Sequence, residues 1–121
     1  MLNELERGDT ICILGAPRKA HERFEAYLIA WNKERVARGI RSRIILNYNC
    51  KRFGRAREKM PLTEVRYLQR GLETPAVIDI FKDYVVTINC YENPLCFLMR
   101  SRDSAETYRK YFDMLWKQAE K

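Results

Sequence analysis

Few side chains in this sequence are equipped for covalent chemistry. There is one histidine, His21, and there are four cysteines, Cys12, Cys50, Cys90 and Cys96. Any histidine-based general-base or nucleophile-activating scheme must run through His21. His21 falls near the start of a helical segment, where the macrodipole disfavours an imidazolium, so an exposed, inert histidine is expected. Cys12 lies within the apolar run Thr10–Gly15, where burial raises a thiol pKa instead of lowering it. No C-x-x-C pair occurs, and no cysteine lies near His21, so neither a zinc site nor any other cofactor is expected. Cys90 and Cys96 could meet across a turn, but free thiols fit a reducing compartment better.

Binding groups are easier to find. Gly15-Ala16-Pro17-Arg18 joins a strand to a helix but carries no dinucleotide or P-loop glycine pattern. Its backbone N–H groups and Arg18 could hold an anion at the helix start, or it is an ordinary turn; both readings stay open. Asn47-Tyr48-Asn49 follows the second strand and offers the donors and acceptors that sugar hydroxyls require. Such residues are also common turn formers. Arg66 and Asp79 are ionisable groups inside apolar runs; each could face solvent or a ligand, or they could pair across a sheet. Arg18, Asn47, Tyr48, Asn49, Arg66 and Asp79 together form the candidate ligand set.

The net charge of +7 is local: Lys33 to Lys59 holds ten Lys or Arg against Glu34 and Glu58. Arg41, Arg43, Lys51, Arg52, Arg55 and Arg57, with Tyr48 and Phe53 interleaved, could track phosphates and stack a base. The competing reading is a solvated helix face and a basic strand edge that discourages unwanted pairing.

The elements that must position these groups follow from the hydrophobic period. Met1 to Gly8 is a short polar lead-in, and residues 9–121 read as one α/β domain. Asp9 to Gly15 predicts a buried strand and Lys19 to Arg38 a helix. That helix has Ala20, Phe24, Tyr27, Leu28 and Trp31 on one face, and Gly39 as its left-handed cap. Arg41 to Asn47 predicts the next strand, completing a βαβ crossover. A short basic helix at Arg52–Lys59 stops before Pro61, and Glu64–Leu68 predicts a third strand. Ala76–Phe81 and Tyr84–Ile88 flank Lys82-Asp83 as a hairpin; Leu95–Met99 predicts a further strand. A long C-terminal helix starts at Asp103, its expected cap, with Glu106 reaching back. Trp31 and Trp116 are expected as core or interface anchors. The fold class is therefore α/β, with a mixed, mostly parallel sheet and flanking helices. No apolar run reaches the ~20 residues of a membrane span, so a cytoplasmic location without membrane contact is expected.

Several stretches, in order, resemble the C-terminal domain of TrmB-type archaeal transcription regulators. They are Gly8-Asp-Thr-Ile-Cys-Ile-Leu-Gly-Ala-Pro17, Arg38-Gly-Ile-Arg-Ser-Arg-Ile-Ile-Leu-Asn47, Met60-Pro-Leu-Thr-Glu-Val-Arg-Tyr-Leu68, Thr74-Pro-Ala76 and Tyr111-Phe-Asp-Met-Leu-Trp116. The resemblance implies a phospholipase-D-like domain that senses a small-molecule effector, a sugar or an anion, and controls a homodimeric DNA-bound regulator. Phospholipase-D enzymes carry H-x-K-x-x-x-x-D on the hairpin, whereas Thr74 to Ile88 holds no histidine and only Lys82. The resemblance therefore implies a domain that is not an enzyme. DNA contact is expected only through a winged-helix module, for which the residues before Gly8 leave no room.

Overall fold

Apolar, β-branched runs become strands: β1 (Thr10–Leu14), β2 (Arg41–Leu46), β3 (Thr63–Tyr67), β4 (Ala76–Phe81), β5 (Tyr84–Asn89) and β6 (Leu95–Arg100). The structure, a computed structural model, describes residues 2–15, 18–72, 76–89, 93 and 95–121, the side chains of residues 2, 18–21 and 23 excepted. The strands form one sheet in the order β3-β2-β1-β4-β5-β6. β1, β2 and β3 are parallel neighbours. Their crossovers are α1 (Arg18–Ala37) and α2 (Lys51–Glu58), because parallel strands cannot be joined by a tight turn. β4 enters antiparallel beside β1, and β5 and β6 continue that meander. The mixed sheet expected from the sequence is present, but its parallel pairings are confined to the β1–β3 half. The hairpin turns at Lys82-Asp83, with Lys82 in the left-handed region at φ 48, as tight hairpin turns require.

Side-chain alternation gives the sheet two buried faces. On one, Cys12, Leu14, Ile45 and Ile80 meet Phe112 and Trp116 of the C-terminal helix α3 (Arg102–Gln118). On the other, Leu46, Val65 and Tyr67 pack on Phe53 of α2, while Ile11, Phe81 and Val86 pack with Leu5, Ile40 and the partly buried Trp31. The start of α3 is capped by Ser101, whose Oγ accepts from Ser104 N at 3.2 Å. The cap thus lies two residues before the expected Asp103, which instead places its charge in the first turn, where the macrodipole favours it.

The expected apolar stripe of α1 is corrected in two ways. Phe24 breaks the helix with φ −122 and ψ 16, shifting the phase of the face that follows. Phe24 and Tyr27 are exposed, whereas Asn32 and Arg35 are buried; the side chain of Ala20 lies outside the described residues. Arg35 donates to Ile40 O (2.7 Å), Leu62 O (3.2 Å), Thr63 Oγ1 (2.5 Å) and Asn32 Oδ1 (3.1 Å). Its partners lie where the chain enters β2 and β3, so the guanidinium ties both strand starts to α1. Burial lowers its pKa to about 10, which leaves it cationic at neutral pH. Gly39 caps α1 at φ 74, as expected.

Candidate functional site

The basic segment does not form one patch. β2 is six residues long and carries the chain roughly 17–20 Å across the sheet. Arg41 and Arg43 stand at its amino end on the α3 face, since they alternate with Ile45. Lys51 to Lys59 lie beyond its carboxyl end, where α2 packs on the opposite face. Within α2, Arg57 is buried and makes a two-pronged ion pair with Glu25 of α1, at 2.6 and 3.0 Å. Arg55 pairs with Glu58, which also accepts from the Tyr67 hydroxyl at 2.9 Å. Burial first, and then Glu58, pushes the Tyr67 phenol above its ordinary range. Lys51 lies 5.7 Å from the centre of the Tyr67 ring, and Arg52 lies 4.7 Å from that of Phe53.

Two further arginines converge on one tryptophan. Arg43 and Arg66 place their guanidiniums 4.6 and 4.5 Å from the centre of the Trp116 ring. Arg43 is held there by Asp113 at 3.0 Å, and Arg66 donates to Trp116 O at 2.7 Å. Arg66 therefore fastens the end of α3 to β3. Its expected alternative, a pair with Asp79, is overturned by the register. Arg66 stands beside Ile45, and Ile45 beside Leu14, whereas Asp79 stands beside Ile13. Neighbouring rows point to opposite faces, and two strands separate the residues. Asp79 is buried, its Oδ1 has no hydrogen-bond partner, and desolvation pushes its pKa up to about 7.

At the carboxyl ends of the parallel strands, Asn47 is buried, Tyr48 is half-buried and Asn49 is exposed. Arg70 lies 5.6 Å from the Tyr48 ring centre, and Asn49 Oδ1 accepts from the Cys50 thiol at 3.5 Å. The side chains of Arg18 and His21, and the whole of Cys90, lie outside the described residues. Asp79 and Arg66, on opposite faces, cannot join this cluster in a single site. Cys12, Cys50 and Cys96 are free thiols; burial pushes Cys12 up to about 11, so its thiolate is scarce at neutral pH. The hairpin's Lys82 lies 3.6 Å from Glu6 and 3.5 Å from Asp9.

A concave site instead opens at the amino ends of β1, β2 and β3. It has a volume of about 280 Å³ and is lined by Thr10, Arg41, Ser42, Arg43, Leu62, Thr63 and Glu64. Leu62 turns the chain into β3 with φ 58, and its carbonyl accepts from Ser42 N at 2.9 Å. The Arg41 guanidinium makes no hydrogen bond or ion pair with another described residue, its backbone N–H donating to Asp9 O at 2.8 Å, whereas the Arg43 guanidinium is shared with Asp113. Glu64 stands beside Arg43 in the strand register. Two cations thus face one lining carboxylate and one adjoining carboxylate, so the local charge is balanced. The sequence reading missed this site because α/β sheets commonly bind ligands at carboxyl strand ends. The spacing Arg41-Ser42-Arg43, which puts both cations on one face of a strand, was the available signal.

Comparison with solved structures places this architecture. The chain superimposes on the structure of TrmBL2, an archaeal chromatin protein described as showing a novel mode of DNA binding, with a TM-score of 0.64 and 16% identity. The likeness establishes the fold. It covers 92% of this chain and 44% of the TrmBL2 chain, so this chain spans less than half of that protein's length. No family model and no curated protein sequence matches. Among the described residues, no helix is long and apolar enough to cross a membrane.

Proposed function

We propose that this chain is a non-catalytic sensor domain of a TrmB-type transcription regulator, on a phospholipase-D-like scaffold. Its effector is a small neutral polyol, of monosaccharide size, held between Arg41, Arg43 and Glu64. The observation that carries this reading is the lining of the amino-end cavity. Guanidinium donors, a carboxylate acceptor and the Thr10 hydroxyl meet there, the mixture that vicinal hydroxyls satisfy. The balanced charge disfavours a polyanion, and 280 Å³ lies just below the roughly 300–1,000 Å³ of ligand pockets, which limits the ligand to monosaccharide size. The fold shared with TrmBL2 supports the regulator assignment. The buried Cys12 thiol and the Lys82 ammonium held by two carboxylates support the non-catalytic part.

Thermal shift of the wild type and of Arg41→Ala tests the proposal, with neutral mono- and disaccharides, sugar phosphates and inorganic phosphate as probes. A neutral sugar at ~100 times its Kd should stabilise the wild type by about 2.7 kcal/mol and leave Arg41→Ala unmoved. A larger shift with phosphate would replace the polyol with an anion, and no shift with any probe would remove the reading.

The competing reading, direct nucleic-acid binding through Arg41, Arg43, Lys51, Arg52, Arg55 and Arg57, draws on the DNA binding described for TrmBL2. The geometry supports it less. Arg43, Arg55 and Arg57 already hold carboxylates, and β2 separates the two ends of the cluster.

A further inference from the structure

The two edges of the sheet are finished differently. At β3, Tyr67 exchanges backbone hydrogen bonds with Glu120 at 2.6 and 2.9 Å, and the strand carries Glu64 and Arg66. That edge is partly covered and charged, the usual protection against strand addition. β6 forms the other edge and, among the described residues, pairs with β5 alone. Its sequence Leu95-Cys-Phe-Leu-Met-Arg100 has one charge, at its end, and all six residues are exposed. Leu95, Phe97, Leu98 and Met99 are 56%, 59%, 66% and 43% exposed. With roughly 200 Å² per large side chain, these four present on the order of 400 Å² of apolar surface. That area already equals a typical largest patch on a monomer and is about half of one partner's share in a standard interface.

We infer that β6 is the dimerisation edge of this protein, joining a second copy of the same chain antiparallel, strand to strand, across a two-fold axis. The argument is independent of the effector reading. An antiparallel pair of identical strands is self-complementary, so one surface serves both partners. The axis must stand perpendicular to the sheet, which keeps side chains of one face opposite each other. It also brings both copies of α3 to the same side of a continuous sheet. The register is centred on Phe97: Phe97 meets its own copy, Leu95 meets Met99, and Cys96 meets Leu98. Every one of these pairs is apolar, and the two Arg100 side chains fall at opposite ends of the seam. Centring on Leu98 instead would set Arg100 against Cys96.

Analytical ultracentrifugation of the wild-type chain, Phe97→Lys and Leu98→Glu tests this inference. These side chains are exposed in the monomer, so the variants should keep the wild-type circular-dichroism spectrum, while the concentration dependence of the melting temperature that a dimer shows should be lost. The wild type should sediment as a dimer, and each variant should weaken dimerisation by at least ~100-fold, since an unpaired charge enters the seam. Mild oxidation of Leu98→Cys in a Cys90→Ser background provides a second readout. The new thiol faces the partner's Cys96 and should give a covalent dimer. A wild type that stays monomeric at high concentration overturns the inference, whether or not the edge captures some other strand. So does a dimer unaffected by Phe97→Lys, or an oxidised chain that remains monomeric.

Discussion

Arg57 of α2 and Glu25 of α1 hold each other through two hydrogen bonds, at 2.6 and 3.0 Å, with the arginine side chain only 3% exposed and the glutamate 26%. The pair bridges two helices that pack on the same face of the sheet, and it turns an apparent phosphate-binding residue into a structural one. Its two ends are unequal, because only the glutamate can reach water. Glu25→Gln strands a buried cation and should cost about 2–3 kcal/mol, below the 3–5 of a fully buried pair. Arg57→Met fills the same space and leaves a carboxylate that rehydrates, so about 1 kcal/mol is expected. Urea denaturation of both variants checks the order; a reversed order would mean that the ion pair does not govern this contact.

Asp79 gives the fold an unusual pH dependence. Its folded pKa is about 7 against an ordinary 3.8, so folding favours the protonated form. Below pH ~4 the group is protonated in both states and contributes no difference. Between pH ~4 and ~7 the unfolded chain releases its proton first and stability falls; above ~7 the loss levels off. Asp79→Asn should therefore stabilise the protein by about 1–3 kcal/mol at pH 8 and by little at pH 4. Thermal unfolding at the two pH values checks this, and equal effects at both would contradict it.

Gly54 sits inside α2 against the Tyr67 ring, and a methyl group there would overlap both the ring and its hydroxyl. Tyr67 is 1% exposed and held to Glu58, so it cannot swing away. Helix propensity alone predicts that Gly54→Ala gains about 1 kcal/mol. Overpacking costs about 1–3 kcal/mol, and with a ring that cannot yield it should win, leaving the variant about 1–2 kcal/mol less stable. A rise in melting temperature would show that Tyr67 has another place to go.

Nucleic-acid binding separates the two readings of the charge. Exposed cations spread over both ends of β2 should give at most weak binding. Any such binding should vanish as salt rises from 50 to 200 mM, following counterion release. Fluorescence anisotropy with labelled duplex and single strands measures this. Submicromolar affinity at 200 mM salt, lost in Lys51→Ala/Arg52→Ala, would favour direct binding.

Much of the fold was legible in the sequence because its signals are local. Thr10 to Leu14 and the hairpin about Lys82-Asp83 declare themselves by β-branched runs and turn chemistry, and Gly39 marks the end of α1. The departures arise where partners are distant in sequence. Arg35 is buried because the carbonyls of Ile40 and Leu62 need a donor, which the helical period of α1 cannot reveal. The Arg66–Asp79 pair failed because strand order decides which rows are neighbours, and β4 enters beside β1. Arg41 and Arg43 were read with Lys51 to Arg57 as one cluster, because proximity in sequence conceals the length of the strand between them. Leu95 to Met99 were legible as a strand, but their exposure follows from strand order, which leaves β6 at the edge of the sheet.

The most direct test of the sensor assignment is an NMR titration of the isotope-labelled chain with the sugar that gives the largest thermal shift. Shifted amides should cluster at Thr10, Arg41 to Arg43 and Leu62 to Glu64, and Arg41→Ala should abolish them. Shifts confined to Asn47 to Asn49, or no saturable shifts with any sugar, would contradict the account.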